Sequence, residues 1–291
     1  MTREQWHDAR TYTVNNATVT GRDGTVIPVR DYVPTNQTSS SPFLWVHGGG
    51  FAGGGLDQKE SDAPARFLAA AGRRVRTVDY RLVPVPSLFR DQKPRPSRNR
   101  YPAALHDVLD VAQDLSVTTG RPIGMGGASA GANLAAAAAM LNRDEGTLDL
   151  LALVYVYGAF HFAVPDNPRI ESELRGPLVK WMFNPKMARR ICLNYVGDPA
   201  LMAPGYAFPA GGELHALPPS LLLNSENDRL RSSGEVFADE LRAAGVDVHE
   251  ETVTGARHGF LNAFRKPRFT EQMDTVEGWL QAHNGATAQV D

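Results

Sequence analysis

Short apolar runs and helix-patterned stretches take turns along the chain. Phe43 to His47 is an apolar run that leads into glycines. Arg74 to Tyr80, Pro122 to Gly126, Leu150 to Tyr157 and Ser220 to Asn224 are further runs of strand length, and Val246 to Val253 alternates apolar with polar residues. Between them, the spacing predicts helices over about 62–72, 101–116, 130–142 and 233–244, with a last one over 271–283. Strands alternating with helices predict an α/β fold, a mostly parallel twisted sheet with helices on both faces. Thr11 to Val33 also alternates and contains Asp23-Gly24, so it reads as an antiparallel hairpin at a sheet edge.

Two segments break this rhythm. Residues 82–100 form a long proline-rich connection with five basic residues, Arg90, Lys93, Arg95, Arg98 and Arg100. Residues 158–217 are too long for an ordinary loop and carry Trp181, Met182, Phe183, Tyr195, Tyr206 and Phe208. They read as a helical cap inserted over the sheet of a single domain spanning residues 1–291.

Composition narrows the function. With 42% hydrophobic residues in 291, the chain can bury a sizeable core. Thirty basic against 32 acidic residues leave a net charge of −2, which gives no global support to a nucleic-acid partner. The single cysteine, Cys192, rules out an intrachain disulfide and a cysteine metal cluster. A polar N-terminus and the lack of any apolar run long enough to span a bilayer make a cytoplasmic protein the default expectation.

Candidate chemistry gathers at the ends of the predicted strands. Gly127-Ala128-Ser129-Ala130-Gly131 lies between the run ending at Gly126 and a helix, the setting of a nucleophile elbow, a strained turn that presents a serine hydroxyl. A phosphate-binding glycine turn is the competing reading. It is disfavoured because Ser129 stands where the last glycine belongs and several strands come first. His47-Gly48-Gly49-Gly50, at the end of another strand, can offer bare backbone N–H groups to an oxyanion. A base is expected after a late strand, and His258 is the histidine so placed. His249 falls within a strand, His106 within a helix, His215 before a Leu-Pro-Pro turn, and His7 and His283 near the ends. The orienting acid is Asp228 or Glu226, both just past the Ser220–Asn224 run. Serine, acid and histidine then follow the chain order of an α/β-hydrolase.

These pieces resemble the hormone-sensitive-lipase-like family of α/β-hydrolases, bacterial family IV, which includes many bacterial carboxylesterases. The resemblance is carried by His47-Gly48-Gly49-Gly50-Phe51, Val78-Asp79-Tyr80-Arg81-Leu82, Tyr101-Pro102-Ala103-Ala104-Leu105, Gly127-Ala128-Ser129-Ala130-Gly131-Ala132-Asn133-Leu134, Asp228-Arg229-Leu230-Arg231 and His258-Gly259-Phe260, in order, over roughly residues 26–283. It implies Ser129 as nucleophile, His258 as base, Asp228 as its orienter, Glu226 in support, and oxyanion donors at Gly48, Gly49 and Ala130. The chain departs from the family pattern at Ala128, where an acid is usual, and at Arg229, where proline is usual. The stretch before the glycine cluster is short for the family and the 82–100 connection long, so that basic insert is a candidate lid.

The implied reaction is hydrolysis of short- to medium-acyl esters, among them acetyl esters of small metabolites, through an acyl-enzyme, with no metal or organic cofactor. Phe51, His161, Phe162, Trp181, Met182 and Phe183 are candidate walls of the substrate pocket. The expected partner is a small ester; neither nucleic acid nor a membrane span is implied, and a homodimer is compatible with the sequence. Acyl transfer, lyase or natural-product tailoring chemistry, a receptor-like binding role and a peptidase activity are the competing functions on this scaffold.

Overall fold

The computed structural model of the protein describes residues 11–36, 41–86 and 96–284. Eight strands make one sheet: β1 (Tyr12–Thr20), β2 (Val26–Pro34), β3 (Phe43–Val46), β4 (Val75–Val78), β5 (Ile123–Ala128), β6 (Leu150–Val156), β7 (Ser220–Asn227) and β8 (Val248–Arg257). Their order is β1-β2-β4-β3-β5-β6-β7-β8. The expected hairpin, β1 with β2, lies at one edge, and β2 also runs antiparallel to β4. All pairings from β4 through β8 are parallel. β7 and β8 run further than the apolar patterning indicated. A register shift after Ser225 lets Asn227 pair with Arg257, so the ladder continues through polar residues whose pairing is set by the backbone.

The helices are α1 (Lys59–Ala70), α2 (Ala103–Thr119), α3 (Ala130–Glu145), α4 (Pro168–Glu173), α5 (Pro177–Trp181), α6 (Pro185–Val196), α7 (Arg231–Ala243) and α8 (Pro267–Ala282). Alternation along each strand decides which layer a side chain joins. In β3, Leu44 and Val46 enter one core with Leu105 and Val108 of α2, the alanines of α3, and Phe237 and Leu241 of α7. Phe43 and Trp45 enter the other, with Phe67 and Leu68 of α1 and Phe269, Met273 and Leu280 of α8. α1 starts earlier than the apolar spacing suggested and takes in Glu60 and Asp62 as an acidic first turn, the charge favoured at a helix N-terminus.

The segment between β6 and β7 holds α4, α5 and α6. Two of these begin the same way: Asn167 and Asn184 accept from the backbone N–H three residues on, with proline at the first helical position. An asparagine cap followed by proline starts a helix locally, which suits short elements with little core of their own. Of the basic insert, residues 87–95 lie outside the described residues, so the lid expectation falls largely there. Its flanks are tied to α6: Asn194 Nδ2 donates to the Pro84 carbonyl at 2.8 Å, and the Tyr101 N–H donates to the Tyr195 carbonyl at 3.1 Å.

The closest backbone approach in the sheet lies where β5 turns into α3. A methyl group on Gly131 would overlap the carbonyl oxygens of Val46 and His47 at the end of β3. Gly131→Ala is therefore expected to destabilise the protein by about 3 kcal/mol or more, through forced backbone movement in a packed core. Urea unfolding of the variant measures this; a change below about 1 kcal/mol would contradict the account.

Candidate active site

Ser129 caps α3 with φ 54° and ψ −117°, a conformation costly for a residue with a side chain. Its N–H donates to the Val156 carbonyl at 2.9 Å, which fixes the turn across β5 and β6. The hydroxyl oxygen lies 3.0 Å from His258 Nε2, and His258 Nδ1 lies 2.6 Å from Asp228 Oδ2. A carboxylate can only accept, so Nδ1 carries the proton and Nε2 is free to accept from Ser129. Asp228 is buried, and its other oxygen accepts from the Leu230 N–H at 3.0 Å.

The second acid is placed apart from the histidine. Glu226 accepts from the Gly255 N–H at 2.7 Å and so braces the end of β8 before His258. Arg229, which follows Asp228, pairs with Glu171 of α4 and donates to the Lys180 carbonyl at 2.9 Å. Arg231 pairs with Glu173. The turn bearing the acid is thereby joined to the segment between β6 and β7.

The glycine cluster lies directly against the serine. A methyl on Gly48 would stand 3.1 Å from Ser129 Cβ and 2.5 Å from Glu60 Oε1, so only glycine allows that approach. His47 anchors the loop from below. Its Nδ1 donates to the Gly48 carbonyl at 2.7 Å, and its ring stacks on Tyr80 at 4.3 Å. Tyr80 in turn donates to the His47 carbonyl at 3.0 Å. Ala130 is the first residue of α3, and a first-turn N–H has no acceptor inside its own helix. Gly48 and Ala130 thus lie beside the serine, and Gly49 lines the larger cavity with it.

Two cavities meet at Ser129. One, about 30 Å³ and apolar, is the more closed of the two, with Phe51, His161, Phe183, Ala188, Ile191 and Leu230 among its walls. The other, about 380 Å³, is open, with Gly49, Gln58, Glu60, His258 and Asn262 along it. Phe183 and Ile191 border both. Of the six expected wall residues, Phe51, His161 and Phe183 face the closed cavity; Phe162, Trp181 and Met182 line neither cavity. Phe162 packs toward Phe208, and Trp181 is 44% exposed at the end of the single-turn α5. Phe183 has φ 52°, which reverses the chain after Trp181-Met182, so one aromatic of the run turns inward and the others do not.

Sequence reasoning passed over three residues at the site. Glu60 is buried at the start of α1 and accepts from Tyr157 and Asn262. Tyr157 follows β6 with φ 40°, its ring 5.0 Å from that of His258. No spacing rule links these positions; the one local signal is an acid in the first turn of a helix with an apolar face. Among the described residues, no group of three or more His, Cys, Asp or Glu is placed to hold a metal ion, and no helix is long and apolar enough to cross a membrane.

This architecture defines an α/β-hydrolase. Residues 43–262 match the family model described as alpha/beta hydrolase fold, and the chain belongs to that family, in its hormone-sensitive-lipase-like branch. Over 258 residues it is 31% identical to the carboxylesterase NlhH of Mycobacterium tuberculosis, covering 83% of this chain and 74% of that one. An arylesterase of Saccharolobus solfataricus is 27% identical over 262 residues, 87% of this chain and 78% of the relative. The esterase of Pyrobaculum calidifontis superposes with a TM-score of 0.79 at 28% identity, covering 93% of this chain and 85% of that structure.

Two histidines whose Nδ1 is hydrogen-bonded to a neutral group show by contrast what Asp228 does. Burial pushes His47 and His161 down to about 4. Burial also pulls His258 down, but the charge and hydrogen bond of Asp228, with a further push from Glu60, carry it above its ordinary 6.5. Replacing Asp228 by Asn leaves burial to dominate. Asp228→Asn is therefore expected to lower the His258 midpoint to below the ordinary histidine value. Imidazole proton NMR over pH reads this directly; an unmoved midpoint would refute it.

Proposed function

We propose that this protein is a serine carboxylesterase in which Ser129 attacks the ester carbonyl, His258 serves as base and then acid, and Asp228 orients it. The carrying observation is the continuous chain of contacts, 3.0 Å from Ser129 Oγ to His258 Nε2 and 2.6 Å from His258 Nδ1 to Asp228. The esterase relatives support the same reaction class. A receptor-like role is less well supported, since nucleophile, base and acid are all present and in contact.

The proton of Ser129 passes to Nε2 as oxygen bonds to carbon, leaving an oxyanion and an imidazolium. The N–H groups of Gly48, Gly49 and Ala130 hold the oxyanion, and losing one such donor typically costs about 3 kcal/mol of barrier. His258 returns the proton to the leaving alcohol, and a water activated the same way releases the acyl group. Only the neutral imidazole can begin this, so kcat/KM rises with pH through the raised His258 midpoint.

The two cavities divide the substrate. The leaving alcohol must lie near His258, and the open cavity contains His258 whereas the closed one does not. The closed cavity therefore takes the acyl chain. At about 30 Å³ it has room for two or so water-sized groups, which favours acetyl to butyryl esters. The segment 158–217 acts as the cap, supplying Phe183 and Ile191 as the partition. Turnover in a cytoplasmic setting and assembly as a homodimer complete the proposal; neither is needed for the chemistry.

Ser129→Ala is expected to abolish labelling by a fluorophosphonate and to lower turnover of short-chain aryl esters by about 10⁴-fold or more. Turnover that survives the substitution would remove Ser129 from the role; a native protein that neither labels nor turns over would sink the esterase reading. Across acyl lengths, native kcat/KM should fall by about tenfold or more from butyryl to octanoyl. Phe183→Ala should recover most of that loss by merging the cavities, since each buried methylene is worth about 0.8 kcal/mol. An unchanged chain-length profile would count against the assigned acyl pocket.

A further inference from the structure

We propose that Glu60 is a positioning residue for His258: its buried carboxylate ties Tyr157, whose ring lies beside the imidazole, to Asn262, in the turn that follows it, and sets a negative charge nearby. The inference rests on the esterase reading for its kinetic consequence, though its geometry stands without it. Glu60 is 3% exposed. Its Oε2 accepts from the Tyr157 hydroxyl and from Asn262 Nδ2, each at 2.9 Å, and its Oε1 accepts from Gln58 Nε2 at 2.7 Å. Three donors and no acceptor face it in these contacts, the environment that suits a carboxylate.

Two of those donors belong to different elements next to His258. The Tyr157 ring lies 5.0 Å from the imidazole and 5.1 Å, edge on, from Phe260. Its φ of 40° is unfavourable for tyrosine and persists only where neighbours hold it; the bond to Glu60 is one such hold. Asn262 sits in the short 3₁₀ turn four residues after His258 and also reaches the Gly259 carbonyl at 3.3 Å. One carboxylate on α1 thus fixes both the ring beside the base and the turn that carries it.

The charge has a second effect. Attack by Ser129 turns a neutral imidazole into a cation in a buried site, and a fixed anion nearby lowers the energy of that cation. Glu60 itself gains or loses no proton; the proton moves only between Ser129, His258 and the leaving group. The groups facing His258 are Asp228 from the end of β7, the Ser129 hydroxyl from the start of α3, Tyr157 from the end of β6, and Glu60. Around Glu60 stand Gln58, Tyr157 and Asn262, with Tyr80 and the neutral His47 behind the glycine loop. The nearby Lys59 ammonium is turned to the Phe264 ring, 6.0 Å away.

The test compares the native protein with Glu60→Gln and Glu60→Asp by NMR titration of His258, and by the pH profile of kcat/KM on a short aryl ester. Glu60→Gln is expected to lower the His258 midpoint by about half a unit to one unit and to move the acid limb of kcat/KM by the same amount. It should also lower kcat about tenfold at nearly unchanged KM, and Glu60→Asp should recover part of both effects. A Glu60→Gln titration that superimposes on the native one overturns the proposal. Should Glu60→Gln fail to fold, Tyr157→Phe combined with Asn262→Ala carries the test, because it strips both links toward His258. A drop in kcat of about tenfold at constant KM then upholds the proposal, and a native kcat overturns it. The NMR readout needs no turnover. A shifted His258 midpoint in a protein that hydrolyses no ester would uphold Glu60 and refute the proposed reaction.

Discussion

The site depends on one contact, the seating of the first turn of α3 on the end of β3. Gly131 meets the carbonyls of Val46 and His47 with no room for a side chain between them. That single approach sets the height of Ser129 above the sheet and, from the same residues, the start of the glycine loop. Nucleophile and oxyanion donors come from segments about eighty residues apart, yet their separation is fixed by backbone packing and not by a side-chain bond. Backbone packing is stiff because interiors are close-packed and transmit displacement. The strained dihedrals of Ser129, Tyr157, Phe183 and Phe51 surround the same point. Strain of about 1–3 kcal/mol per residue survives only where neighbours over-determine the conformation.

On this rigid base the electrostatics is decided by who accompanies each buried group. His47 is buried and His258 mostly so, and both are hydrogen-bonded at Nδ1, one to a backbone carbonyl and the other to a carboxylate. The neutral acceptor leaves desolvation in control, and His47 stays an uncharged strut under the loop. The charged acceptor reverses the outcome at His258. Desolvation acts on both rings, and a formal charge at 2.6 Å opposes it in only one.

Much of this was legible because the informative residues sit at strand ends, where local sequence and position in the sheet coincide. Ser129, Asp228 and His258 each follow an apolar run, and parallel order puts all such ends on one edge. Strand alternation could not choose between Asp228 and Glu226, because residues two apart share a face. The apolar run ended at Asn224, but the ladder continues to Asn227 and leaves Asp228 first beyond it. Glu60 was not legible, since its role arises from three partners on other elements and its own surroundings in sequence are those of an ordinary helix start. Trp181, Met182 and Phe183 were all expected to wall the pocket, and of the three only Phe183 lines it.

The segment between β6 and β7 is held at its two ends by different contacts. α4 is held by Arg229–Glu171 and Arg231–Glu173, each a largely buried arginine paired with a partly exposed glutamate, and by Ile170 and Leu174, buried in a small cluster with Val179. α6 is held by larger apolar contact: Tyr195 is fully buried, stacked on Phe51 at 3.9 Å and edge-on to Tyr101 at 5.9 Å. Large buried aromatics bring more contact area than three aliphatic side chains. Phe183 lies just before α6, at the end of the segment that this aromatic packing joins to the glycine loop. Under the proposed division of the substrate, a wall held there keeps the acyl side of the site narrow, because the same contact that seats α6 also seats Phe51 beside Ser129.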